Sequence, residues 1–341
     1  MSPRFSDRIA WGAGLFAGAA LLLLVWMLRD VLLLGFAGIL LGLVFRAPAD
    51  WLTARTGVPH GVAVMLVILA MLGLVAGAFV ARGAEIRDQA NQLRQEIPGA
   101  AARLQAQLER TELGREVVEN VPDPTALLPD SAGAVQRATG AVTRTFAVLA
   151  NMLIVLFLGI VLALTPKVYT ENALRLVPRK GRARARALFA DLDHTLRWWL
   201  LGRLISMSAI GVLTWIGLTV LDVPLAFVLA LIAALLSFVP NIGPVVSAVP
   251  AVLLGLVQSP ERALMIAGLY LAVQAIESWL LDPIIDRKTI YLPPALTVLA
   301  QLAMAVLAGL PGVALATPLA AVAAVTTRRL YVEGVLGDRE E

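Results

Sequence analysis

Residues 237–250, Ser-Phe-Val-Pro-Asn-Ile-Gly-Pro-Val-Val-Ser-Ala-Val-Pro, interrupt a region that is otherwise almost continuously apolar. Pro240, Asn241, Gly243 and Pro244 together predict a broken helix, because proline removes a donor and clashes with the preceding turn. In lipid every freed backbone N–H and C=O needs a partner, so broken backbone cannot face hydrocarbon. Two readings satisfy that rule. The break either lines a protein-walled or water-filled cavity, as in the discontinuous helices of transporters, or forms a short turn at the membrane surface.

The rest of the chain agrees with a membrane setting. Of the 341 residues, 59% are hydrophobic and 15% charged, against roughly 45–50% and ~25% in soluble domains. Mean hydropathy is +0.82. The expected fold class is all-α, a polytopic membrane protein with about 7–8 spanning or re-entrant helices. Breaks are expected near Pro240–Pro244 and Gly309–Gly312, with a helical region outside the bilayer.

Apolar runs of up to ~20 residues place the elements. Residues 9–28 read as a retained first span rather than a cleaved leader. A tight polar break follows at Arg29-Asp30, then a short run over 31–45 that is either tilted or re-entrant. Residues 46–60 read as a loop and 61–81 as the third span. Over 82–145 charges of both signs intersperse, and Ile86, Ala90, Leu93, Ile97, Ala101, Leu104 and Leu108 follow helical steps. Pro98-Gly99 should kink or split that helix. Its stripe packs either on its own chain or on a neighbouring subunit.

Residues 146–165 form the next span. A basic stretch over 167–186 then leads into Leu188, Leu192, Leu196 and Leu200 beside Trp198 and Trp199. This reads as an amphipathic helix lying in the headgroup plane. Spans or half-spans follow at 204–221, 225–239, 245–257, 263–281, 295–309 and 312–327. The expected organisation is 1–81 N-terminal membrane helices, 82–145 extracytoplasmic helices, and 146–203 a span plus basic amphipathic helix. A transport core over 204–329 and a tail over 330–341 complete it. The basic loops fall on one side, which the positive-inside rule makes cytoplasmic, with both termini there. The sequence pI of about 9.8 is therefore explained by topology and anionic lipid rather than nucleic acid.

No enzymatic activity, catalytic residue, cofactor or metal site is expected. There is no cysteine, and His60 and His194 lack partners at metal-ligand spacing. The phosphate loop, the zinc-protease His pair and the serine elbow are missing from the sequence. Leu336-Gly337-Asp338 has no matching second aspartate in a span.

Glu277 is the main candidate for chemistry, because an ionisable group within a span costs roughly 2.5–3.5 kcal/mol on insertion scales. Gln274 lies one turn before it and Ser278 beside it. Glu277 could take a proton or cation, snorkel to the interface, or bond a neighbouring helix. Asn241 offers an amide in the broken segment or a cap for the next helix. Thr297 and Gln301 share one helical face and either line a polar path or bond between helices. Pro240, Gly243, Pro244, Gly309, Pro311 and Gly312 are the candidate hinge residues.

Phe238-Val-Pro-Asn-Ile-Gly-Pro244, Glu277 before Pro283, and Gly309-Leu-Pro-Gly-Val-Ala-Leu-Ala-Thr-Pro-Leu-Ala-Ala321 resemble the autoinducer-2 exporter family. The Leu221-Asp-Val-Pro224 turn and Trp199-Leu-Leu-Gly202 also fit. Family members often carry Asn where this chain has Ser278. The resemblance implies a multi-pass protein of the bacterial inner membrane. It implies a secondary transporter that exports a small polar solute such as the quorum-sensing signal autoinducer-2, or exchanges Na+ or Li+ for protons. It also implies a homo-oligomer, with a pentamer among the candidates. A passive channel and a non-transporting scaffold are the alternatives.

Overall fold

The computed structural model describes residues 16, 18–20, 23–108, 134–281, 283 and 292–337, with side chains within 75–145 described only in part. Among the described residues the chain is helical throughout, with no strand. Five helices are long and apolar enough to cross a membrane: Arg29–Thr56, Phe146–Leu164, Arg179–Val220, Pro260–Leu281 and Pro294–Leu336. Shorter apolar helices, Ala226–Leu236 and Ile242–Gln258 among them, lie between them. The polytopic helical fold expected from the sequence is the one observed.

Helix α1 (Arg29–Thr56) meets one expectation and corrects another. A turn at Leu28, at φ −93° and ψ 4°, separates it from the helical residues 23–27, beside the polar break expected at Arg29-Asp30, and hydrogen bonds from Leu28 N to Leu24 O and from Leu32 N to Leu28 O span that turn. The helix then runs through Arg46 and Pro48, where a loop was expected. Side-chain pairing explains this. Arg46 lies 3.0 Å from Asp193 and 3.4 Å from Asp50, and Arg197 Nη2 lies 2.9 Å from Asp50. These partners hold the charged turn helical until Gly57, at φ 70°, ends it. The run over 31–45 thus belongs to a helix of 28 residues. Of the first span, residues 9–15, 17 and 21–22 lie outside the described residues.

Helix α2 (His60–Leu108) is one element of 49 residues, so Pro98-Gly99 does not split it. Ile86 packs against the cluster of Leu218, Val228 and Leu254, and Gln89 Oε1 accepts from Val228 N at 3.3 Å. At that point the stripe packs on its own chain. Its other members lie outside the described side chains, and residues 109–133 outside the described residues.

Helix α3 (Ala134–Leu164) packs along α1. A Cβ on Gly38 would stand 2.6 Å from Leu158 Cβ, and one on Gly42 3.1 Å from Gly159 O. Small residues let these two backbones approach. After the short α4 (Pro166–Arg175) comes α5 (Arg182–Val220), 39 residues long. The expected headgroup-plane helix is therefore not separate: residues 188–200 continue straight into the following span. Leu196 and Leu200 instead pack on Leu33, Leu40 and Leu43 of α1 and Leu315 of the last helix.

Helices α6 (Ala226–Leu236) and α7 (Ile242–Gln258) form a hairpin around the 237–241 break. Helix α8 (Pro260–Ile276) starts from a Ser259 cap, whose hydroxyl accepts from Arg262 N, and ends in a π-helical turn over Glu277–Leu281. Helix α9 (Pro294–Thr327) contains Gly309 at φ 61°, ψ −147°, and passes into a π-helical turn, Arg328–Leu336.

The Gly309 break is a reversal rather than a bend. In a straight helix residues 304 and 312 would lie about 12 Å apart along the axis. Here a Cβ on Gly312 would stand 2.4 Å from Met304 O, so the arms fold side by side. The first arm, over 294–308, is about 22 Å long, too short to cross ~30 Å of hydrocarbon alone. The pair expected over 295–327 is therefore a hairpin. The α6–α7 break has the same signature, since a Cβ on Gly243 would stand 1.9 Å from Leu236 O.

Candidate functional site

The two hairpins meet against the middle of α5. Phe238, at the tip between α6 and α7, packs edge-to-face on Trp199 of α5 with ring centroids 5.9 Å apart. Trp199 also borders the cluster that holds Met304 and Ala308 of the second hairpin. Gln301, 2% exposed, donates its Nε2–H to Pro240 O at 2.9 Å. A carbonyl freed by the first break is thus satisfied by a side chain from the second hairpin, which meets the requirement of backbone in lipid.

One turn beyond Trp199 stands Arg203, which the sequence reading did not single out. Its Nη1 lies 3.1 Å from Glu277 Oε1, with side chains 9% and 5% exposed. Gln274 Nε2 donates to Glu277 Oε2 at 3.2 Å and approaches Ser278 Oγ at 3.4 Å. Glu277 does not snorkel. The π turn that begins at Glu277 is of a kind frequent at functional sites. Arg203 has a sequence signal of the same physics: intramembrane charges come in opposite pairs. It was missed because it falls at the edge of an apolar run.

The candidates are brought together unevenly. Glu277, Gln274 and Ser278 form one group with Arg203. Gln301 joins the hairpin tip, and Thr297, 7% exposed, lies one turn before it. Asn241 is exposed and strained at φ 65° and makes no side-chain cap bond to α7. Gly309 and Gly312 sit at the second reversal with Pro311. Pro240, Gly243 and Pro244 sit at the first.

Several hydroxyls on the helices that carry this junction are buried without a hydrogen-bond partner among the described residues. They are Ser206 and Thr214 on α5, Tyr270 on α8 and Thr317 on α9. Such atoms normally find protein or water, so they mark places where water or a polar solute would be welcome. Asp282 and residues 284–291, including the charged run Asp286-Arg287-Lys288, lie outside the described residues. Among the described residues no group of His, Asp and Glu could hold a metal ion.

The chain matches the profile described as AI-2E family transporter over residues 15–331. It is 31% identical over 339 residues to MT0215 of Mycobacterium tuberculosis, covering 93% of this chain and 89% of that protein. It is 24% identical over 277 residues to YueF of Bacillus subtilis, covering 78% and 75%. Both are named "Putative transport protein". To the AI-2 transport protein TqsA of Escherichia coli it is 29% identical over 199 residues, 58% of this chain and 55% of that one.

Proposed function

This chain belongs to the AI-2E transporter family, a family of membrane transporters rather than enzymes, and on that premise we propose that it is an ion-coupled secondary transporter of a small polar solute. The observation that carries the reading is the buried Arg203–Glu277 pair beside two hairpins that share a hydrogen bond. Arg203 acts as a resident counter-cation. A proton or a sodium or lithium ion arriving at Glu277 competes with it for the carboxylate. Loss of the pair removes the polar tie between α5 and the turn after α8, while Ile210 and Val273 keep the two helices packed, and the Gly309 and Gly243 reversals supply the places where the hairpins move.

Gln274, Ser278, Gln301, Thr297 and Asn241 offer neutral contacts to a solute rich in hydroxyls. The unpartnered hydroxyls of Ser206, Thr214, Tyr270 and Thr317 extend that polar lining. Autoinducer-2 is the first solute to test, because one relative is named for its transport.

The inner membrane of a bacterium is the proposed location, with the basic side in the cytoplasm. The pairing of Arg329 with Asp191 near the start of α5 supports a C-terminal turn on that same side. A homo-oligomer is proposed as the working form.

The test is flux in proteoliposomes of purified protein with an internal pH dye. Sodium, lithium and autoinducer-2 are added in turn to wild type and to the double variant Arg203→Met/Glu277→Gln. A cation-evoked pH change, lost in the variant, is the expected result. Equal pH responses in both proteins overturn the role of Glu277. Solute flux that no ion gradient drives uphill makes the protein a channel.

A further inference from the structure

A cavity lies at the basic end of α1, α3, α4 and α5, with Leu196, one turn before Trp199, and Val322 of α9 in its lining. Its volume is about 390 Å³, within the range of small-molecule sites. The wall is apolar, formed by Phe36 and Ile39 of α1, Leu162 of α3, and Phe189 and Leu196 of α5. Only the mouth is polar. There Tyr169 and Thr170 of α4 stand near the Arg46–Asp193 ion pair.

The dimensions fit one leaflet. From Phe36 to Arg46 along α1 is about 15 Å, half of the ~30 Å hydrocarbon thickness. Tyrosine at such a mouth is a headgroup-level residue. The charge around the mouth is predominantly basic. Lys167 and Arg175 are exposed on α4 itself, and Arg179, Lys180, Arg184 and Arg186 are exposed on the segment that follows. Glu171 is the single acid from 167 to 190. Arg46 is already neutralised by Asp193 and Asp50, so the attraction comes from α4 and the segment after it.

We propose that this cavity binds one acyl chain of an anionic phospholipid from the leaflet on the basic side, with its phosphate at the Tyr169 and Lys167 end of α4, in the field of Arg175 and the basic segment that follows. The hydrocarbon chain fills the apolar wall, which water would otherwise line. The headgroup stays at the mouth, where basic side chains near an anionic headgroup contribute ~1 kcal/mol each, or about fivefold in affinity. The lipid packs α4 against α1 and α5. A site of this kind makes the stability of the protein depend on lipid charge.

The purified full chain is delipidated in detergent and titrated with phosphatidylglycerol or phosphatidylcholine. Bound lipid is counted by native mass spectrometry, and thermal stability is followed in parallel. Phosphatidylglycerol should add retained adducts and raise the melting temperature, with phosphatidylcholine at least tenfold weaker. Ala173→Trp, which fills the cavity from α4, should remove the tight adduct while the protein keeps its elution volume. Lys167→Glu/Arg175→Glu leaves the apolar wall intact. It should abolish the preference for phosphatidylglycerol while phosphatidylcholine still binds, and it decides the matter if Ala173→Trp aggregates. Equal binding of the two lipids by wild type overturns the proposal. So does undiminished phosphatidylglycerol binding in both variants, or an Ala173→Trp effect confined to the oligomeric mass, which would mean that a neighbouring copy fills the cavity.

Discussion

Replacing Glu277 with Gln removes one charge of a pair whose side chains are 9% and 5% exposed. Were the pair on the surface, the change would cost about 0–1 kcal/mol. At this burial the governing term is the charge left behind. Arg203 keeps its positive charge with no carboxylate 3.1 Å away, and breaking a buried pair from one side costs about 3–5 kcal/mol. Arg203→Met alone carries a cost of the same order. Removing both partners leaves no orphan charge and is neutral or even stabilising. The expected stability order is therefore double variant equal to or above wild type, with both single variants well below. Thermal unfolding in detergent, read by tryptophan fluorescence, measures all four proteins, and the double-mutant cycle isolates the coupling. A Glu277→Gln protein as stable as wild type, or a double variant no better than the singles, would refute the buried-pair argument. The cycle also matters for transport. A single variant that loses flux is confounded by its lost stability, whereas the double variant is folded and tests coupling alone.

Two further outcomes follow from the packing. Gly243→Ala puts a Cβ 1.9 Å from Leu236 O and should cost more than about 4 kcal/mol, a value reserved for severe disruption. Gly309→Ala, at φ 61° and ψ −147°, should cost about 1–3 kcal/mol in strain. Gly268→Ala, where a Cβ meets nothing within 4 Å, serves as the control, and yield of monodisperse protein with its melting temperature separates the three. Asp50 sits 2.9 Å from Arg197, 3.4 Å from Arg46 and 3.3 Å from His60. Asp50→Asn should therefore lower stability by about 1.5–3 kcal/mol, the worth of charge-assisted bonds. Asp30→Asn, in an exposed pair with Arg29 at 3.8 Å, should leave the melting curve unchanged.

The helical membrane class was legible in the sequence, because burying ~20 apolar residues in lipid admits few other solutions. Both breaks were legible too, from Pro240, Asn241, Gly243 and Pro244 in one case and Gly309, Pro311 and Gly312 in the other, although Pro48 and Pro98-Gly99 sit inside unbroken helices. Glu277 stood out for its cost in an apolar run. Where the reading failed, tertiary partners had overridden local signals. Arg46 and Asp50 read as a loop, yet Asp193 and Arg197 from α5, distant in sequence, neutralise them and let α1 continue. The leucines at 188–200 read as a stripe facing lipid headgroups, yet Leu196 and Leu200 pack on α1 and α9.

Local sequence marks where a helix can break, because positive φ and the loss of a donor are properties of single residues. It does not determine which charge a buried carboxylate meets or which carbonyl a buried amide satisfies. Arg203 meets Glu277 across 74 positions and Gln301 meets Pro240 across 61. Those pairings exist only once the helices have packed and brought distant polar groups together away from water.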